Sequence, residues 1–210
     1  MKYRVMIVED QTMPRQLFEM HIQASERFEL AISIDNAAMA DIYCLKYPVD
    51  LILMDVITRN GENGLEAAAR IKRAFPGVKI VIVTSMPECS YLNRARAIGV
   101  ESFWYKEDPS HNLMEILQRT MNGESCYPEA TPELQLGLAS SRDFTERELE
   151  VLREITSGDT NPEIAERLHM SVATVKTHIL NMLGKTGFRN RTELAVRARE
   201  SGLVILDRKA

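Results

Sequence analysis

The feature that most constrains this chain is a change of grammar part-way along it. Up to residue 121, five short apolar runs, YRVMIV, FELAISI, VDLILM, VKIVIV and ESFWY, alternate with segments of helical spacing at 14–24, 37–46, 64–75 and 109–121. From Phe144 onward no strand candidate remains, and short helical segments are separated by SGDT, HMS and GFRN. Between them, residues 122–143 hold two Gly and two Pro with no sustained period, the composition of a linker.

Alternating strands and helices imply a parallel sheet covered on both faces. VKIVIV and VDLILM are almost continuously apolar and belong in the sheet centre, whereas FELAISI and ESFWY suit the edges. Five strands in this rhythm predict an α/β, doubly wound, flavodoxin-like domain with strand order 2-1-3-4-5. The expected organisation is this domain at 1–121, a linker at 122–143, and an all-α domain at 144–210.

No stretch approaches the roughly 18 apolar residues of a membrane span, so neither a leader nor an anchor is expected. Cys44, Cys89 and Cys126 are odd in number and match no disulfide or metal pattern, which fits a reducing cytoplasm. A net charge of −4 hides an asymmetry. Residues 144–170 carry three Lys/Arg against seven Asp/Glu, and residues 171–210 carry eight against three. The chain turns basic only at its end, where a polyanion would be met.

In an open parallel sheet, ligands sit beyond the carboxyl ends of the strands. The first run ends in Glu9-Asp10, the third in Asp55, the fourth in Thr84-Ser85 and the fifth in Lys106. Any one of these is an ordinary turn residue or helix cap; four together, in this order, are a site. Three carboxylates so close raise one another's pKa and require a cation. With oxygen ligands alone, a hard ion is indicated, and Mg²⁺ fits best. Asp55 is then a nucleophile able to form an aspartyl phosphate, with Thr84 and Lys106 receiving phosphoryl oxygens.

This arrangement of Glu9-Asp10, LILMD, IVIVTS and FWYK resembles the receiver domain of two-component response regulators over residues 1–121. The resemblance implies phosphorylation of Asp55 by a histidine kinase or a small phosphodonor. It further implies metal held by Glu9, Asp10, Asp55 and the main-chain carbonyl of Ile57, and a switch formed by Thr84 and the aromatic Phe103. The chain departs from such receivers at Thr58-Arg59, where Met-Pro is common, and in an NGEN loop one residue longer than usual. Ile57 and Met86 occupy positions whose side chains overlook the phosphoryl group in such receivers. Both are apolar here and are expected to hinder the hydrolytic water.

NPEIAERLHMSVATVKTHILNMLGKTG has helix-turn-helix grammar, with Asn161 or Thr160 capping the first helix, Pro162 at its opening and Ser171 capping the second. Val172, Val175, Ile179 and Met182 form the expected buried stripe. Ala173, Lys176, Thr177, Leu180 and Asn181 form the opposite face, with His178 and Lys185 on its flank. Such a face supplies donors for bases and phosphates, and Arg189, Arg191, Arg197 and Arg199 extend its charge. Together with FTERELEVL and FRNRTELAV, the segment resembles the LuxR-type helix-turn-helix domain. That likeness puts Lys176 and Thr177 in the major groove and Thr174, His178 and Lys185 near phosphates. Leu180 stands where some relatives have a basic residue.

The two halves together resemble a NarL/FixJ-type response regulator. The function expected is transcriptional control by a DNA-binding protein switched through Asp55, with a sensor kinase, promoter DNA in two half-sites and a second copy as partners. No enzymatic activity is expected beyond self-phosphorylation and self-dephosphorylation. Two rival readings are a regulator independent of phosphorylation and a covalent aspartyl phosphotransferase. The latter needs a general acid, which the rim offers only among its metal ligands. The last helix, 192–201, is either a dimer contact through Leu194, Ala195 and Ala198 or part of its own domain's core.

Overall fold

The computed structural model describes residues 1–59, 62–85, 90–106, 112–129 and 131–204. Met86, Cys89, His111, the tip of the NGEN loop and the last six residues lie outside the described residues. The chain falls into two compact units, one containing Met1–Ser85 and Tyr91–Glu129, the other running from residue 131 onward.

The first unit is built on five parallel strands, β1 (Tyr3–Val8), β2 (Phe28–Ile34), β3 (Leu51–Met54), β6 (Lys79–Thr84) and β7 (Ser102–Tyr105), ordered β2-β1-β3-β6-β7. This is the predicted 2-1-3-4-5 order, because β4 (Ile57–Thr58) and β5 (Glu62–Asn63) form a separate antiparallel ribbon. The apolar runs of β3 and β6 are buried along almost their whole length, as centre strands covered on both faces must be. Val5, Ile7, Leu53, Val81 and Val83 pack with Phe18 and Ile22 of α1 (Thr12–Gln23) and with Ile116 and Leu117 of α5 (Leu113–Met121). Met6, Ile52 and Ile82 alternate with them and are equally buried, as are Ala67, Ala68 and Ile71 of α3 (Gly64–Ala74). A single turn of 3₁₀ helix precedes α2 (Ala40–Lys46), and α4 (Ser90–Ile98) joins β6 to β7.

The second unit begins with a two-stranded hairpin, β8 (Gln135–Leu136) and β9 (Ala139–Ser140). Four helices follow: α6 (Glu146–Thr156), α7 (Asn161–Arg167), α8 (Val172–Thr186) and α9 (Arg191–Glu200). Reciprocal hydrogen bonds between Thr145 and Glu148 start α6, and Thr160 with Glu163 starts α7, so Thr160 rather than Asn161 is the cap. Ser171 Oγ accepts from Thr174 N at 3.0 Å to start α8, which ends at Gly187 in the left-handed region (φ 75°).

Two expectations change here, and one open alternative is resolved. The stretch read as linker is divided. Cys126 packs in the core of the first unit and its carbonyl accepts from Phe103 N (2.8 Å), while Leu136 and Ala139 are buried in the helical core. Two-residue strands carry no readable period, so pattern alone missed them. Val172, placed in the buried stripe, is 37% exposed, because the first residue of α8 lies at the edge of what the neighbouring helices cover. Of the two roles weighed for the last helix, the structure shows the core: Leu194 and Ala198 are fully buried among Val151, Leu152 and Ile164.

Candidate functional site: an acidic pocket and a nucleic-acid interface

The ends of β1, β3, β6 and β7 bring the predicted rim residues together. Carboxylate oxygens of Glu9, Asp10 and Asp55 lie within 4.8 Å of one another. Glu9 and Asp55 are buried; Asp10 is half-exposed. Lys106 Nζ bridges the two buried acids, donating to Glu9 Oε2 at 2.5 Å and to Asp55 Oδ2 at 2.8 Å. The remaining oxygens are held by main chain: Gln11 N donates to Glu9 Oε1 (3.0 Å) and Val56 N to Asp55 Oδ1 (2.7 Å). Burial, reinforced by Glu9 and opposed by Lys106, pushes Asp55 up to about 6. Burial works against the Lys106 ammonium, but Asp55 and Glu9 outweigh it and raise its pKa. All three acids offer hard oxygen donors, so the set fits a divalent ion such as Mg²⁺.

Thr84 is fully buried at the end of β6, opposite Tyr105 in the register, and its carbonyl accepts from Lys106 N (2.9 Å). Phe103 is buried, its ring 5.1 Å from that of Tyr105 and 6.3 Å from that of Tyr127. Trp104 turns to the other face, against the cluster holding Val81 and Val83.

Ile57 lies in β4 and is half-buried. The departure at Thr58-Arg59 has a structural use. Thr58 Oγ1 accepts from Ala37 N (2.9 Å) and donates to Glu62 O (3.2 Å), and Arg59 pairs with Asp35 (2.5 Å). Gly64 is a residue that sequence reasoning used only as a helix start. A Cβ there would stand 1.9 Å from the carbonyl oxygen of Asp55, so the first turn of α3 can close on the Asp55 backbone only with glycine. Asn63 Oδ1 caps the same turn through Leu65 N (2.9 Å). The readable signal was Asn-Gly opening an apolar helical pattern.

In the helical unit, Val175, Ile179 and Met182 are buried, and Thr174, Lys176, Thr177 and Asn181 are exposed on α8, with His178 partly so. Lys185 is different. Its ammonium donates to both carboxylate oxygens of buried Glu148 (2.9 and 2.6 Å) and to Asp143 O (2.8 Å), so it has a structural role within the domain. Glu148, missed from sequence, needs that cation: burial works against its charge, but Lys185 and Thr145 together hold its carboxyl below the ordinary range. Arg191 is likewise engaged, holding Asn161 Oδ1 (2.9 Å) and Asp159 O (2.7 Å) at the start of α7. Arg197 pairs with Glu200 (3.0 Å).

Comparisons with known proteins agree with this two-part geometry. Residues 5–118 match the response regulator receiver domain, and residues 142–198 match the bacterial regulatory proteins of the luxR family. Response regulator protein VraR of Staphylococcus epidermidis is 30% identical over 209 residues, covering 97% of this chain and all of the relative. VraR of Staphylococcus aureus is 29% identical with the same coverage. Among solved structures, RcsB of Salmonella enterica serovar Typhimurium, bound to a promoter with the phosphomimetic BeF₃⁻, aligns with TM-score 0.60 at 20% identity, over 94% of this chain and 98% of that one. The response regulator ChrA of a heme-sensing two-component system aligns with TM-score 0.52 at 22% identity, over 97% and 99%. At these identities the structures speak for the fold alone. The acid-lined sheet edge, the exposed helix of the second unit and the two matched families lead to one conclusion: this chain belongs to the NarL/FixJ-type two-component response regulators, joining a receiver domain to a LuxR-type helix-turn-helix DNA-binding domain.

Proposed function

We propose that Asp55 accepts a phosphoryl group from a histidine kinase or a small phosphodonor, and that the modification controls promoter binding by the helical unit. The observation that carries this reading is the buried Glu9–Asp55 pair bridged by Lys106, with Asp10 beside it. Glu9, Asp10 and Asp55 would hold Mg²⁺, with the Ile57 carbonyl as the fourth protein ligand expected from the family. The bound ion supplies charge neutralisation for both the acids and the incoming phosphoryl oxygens. Asp55 Oδ2 attacks phosphorus and the donor's leaving group departs with the electron pair of its bond. Lys106, already aimed at Asp55, then binds a phosphoryl oxygen, and Thr84 takes another. The half-buried, apolar Ile57 hinders the hydrolytic water at the acyl phosphate, so Ile57→Asn shortens its lifetime.

The chain's own chemistry is self-phosphorylation and self-dephosphorylation at Asp55, with no further substrate turned over. Shifting a two-state equilibrium from 1:99 to 99:1 needs about 5.5 kcal/mol. One hydrogen bond to a charged group supplies about 1.5–3 kcal/mol, so Thr84, Lys106 and the metal act jointly. Two copies on two half-sites about 10 base pairs apart, or a multiple, would match two-fold recognition.

Intact mass after treatment with acetyl phosphate and Mg²⁺ tests the reading. A stable single phosphorylation, absent in Asp55→Asn, is expected. Absence of modification would overturn it in favour of a regulator answering another input, and continuous donor consumption in favour of a phosphotransferase. Among the described residues no helix is long and apolar enough to cross a membrane.

A further inference from the structure

We infer that α8 reads thymine, through an apolar ridge that runs along the middle of its exposed face and centres on Leu180. The inference rests on the DNA-binding reading and specifies what the site takes.

Helix geometry sets the ridge. Val175, Ile179, Met182 and Thr186 are buried and define the inward direction. At about 100° per residue, the side chains that face away include Ala173, Thr177 and Leu180, spaced i, i+4, i+7. All three are exposed, and Leu180 is 67% exposed, the most open large apolar side chain of this helix. Thr177 was expected to offer a donor. Its hydroxyl instead donates to Ala173 O at 3.0 Å, so it meets a partner with a methyl group and oxygen lone pairs. The polar members of the face, Lys176 and Asn181, flank the ridge on either side.

A base edge carrying only donors and acceptors gains nothing from a leucine and loses hydration against it. In the major groove the apolar group is the 5-methyl of thymine, for which Ala, Thr methyl and larger apolar side chains are the matching contacts. The ridge occupies the first nine residues of α8, the part of a recognition helix that reaches base edges. Charge selects DNA over a second copy as occupant. The charged side chain flanking the ridge is the exposed Lys176, in a segment, 171–210, with eight Lys/Arg against three Asp/Glu, a balance that suits phosphates better than an identical segment.

The test starts with a randomised duplex library selected on the full-length chain, with and without beryllofluoride and Mg²⁺. The selected duplex is then remade with uracil in place of thymine, which removes only the methyl. Thymine enrichment is expected, with a loss of about fourfold in affinity for each contacted methyl removed. In Leu180→Ala, the same replacement costs less than twofold; the side chain is exposed, so the thermal melt is unchanged. Equal binding of thymine and uracil duplexes overturns the inference while leaving DNA binding intact, and so does a uracil penalty that persists in Leu180→Ala. Failure to bind any duplex in a salt-dependent manner overturns the DNA-binding reading itself. Concentration-dependent self-association by light scattering, abolished in Leu180→Ala, assigns the ridge to a second copy instead.

Discussion

The acidic pocket of the receiver and the exposed face of α8 solve opposite electrostatic problems. In the pocket, two buried carboxylates are held by main-chain donors and by Lys106, with a third at its mouth, so the site is preorganised at a standing cost to the fold. On α8, Lys176 and Asn181 sit in water and contribute to the fold almost nothing until a partner arrives. The difference teaches that a charge's chemical meaning depends on what already neutralises it. Lys185 is neutralised inside its own domain and Lys106 is held by Glu9 and Asp55 until a phosphoryl group arrives, whereas the exposed Lys176 is the kind of group that a partner recruits directly.

That contrast can be broken first at Lys106. Lys106→Met leaves Glu9 and Asp55 without their bridge and should destabilise the receiver by about 3 kcal/mol in urea unfolding without Mg²⁺, with much of the loss recovered on adding it. Gly64→Ala should cost about 2–3 kcal/mol, because a Cβ at 1.9 Å from the Asp55 carbonyl forces the Asp55 turn to move; the rate of the proposed phosphorylation should fall with it. Lys185→Met should cost the helical domain about 2 kcal/mol by stranding Glu148. Glu148 binds its proton less readily folded than unfolded. Its contribution is therefore present at neutral pH and lost on acidification below about pH 4.3, and thermal melts of Lys185→Met should lack much of that acid sensitivity.

The smaller effects sharpen the comparison. Mg²⁺ affinity, followed by Trp104 fluorescence, should weaken as pH falls through about 6, because protonated Asp55 cannot serve as a ligand. Lys176→Ala should change stability by no more than about 0.5 kcal/mol, yet make the slope of log affinity against log salt shallower by about one. A large loss of stability in Lys176→Ala, or none in Lys106→Met, would erase the distinction between the two regions.

Much of the receiver was legible because its strands are long, apolar and punctuated by the residues that matter. Glu9, Asp55, Thr84 and Lys106 each follow an uninterrupted run, so their common edge could be read off the pattern. The caps of α7 at Thr160 and of α8 at Ser171, and the stripe of Val175, Ile179 and Met182, were legible for the same reason: local periodicity and local hydrogen bonding carry them. The β8–β9 hairpin, the docking of Cys126 beside Phe103 and the exposure of Val172 were not. Each depends on contacts between segments that no short window of sequence contains.

By itself, the sequence determined which residues could do chemistry and on which element each stands, since strand and helix periods are local properties of the chain. Only the tertiary structure decided which of those charges remain available. Lys176 and Lys185 lie on the same helix with the same intrinsic chemistry. Whether a buried carboxylate stands opposite is set by how α6 packs against α8, and that brings together Glu148 and Lys185 across 37 residues of chain.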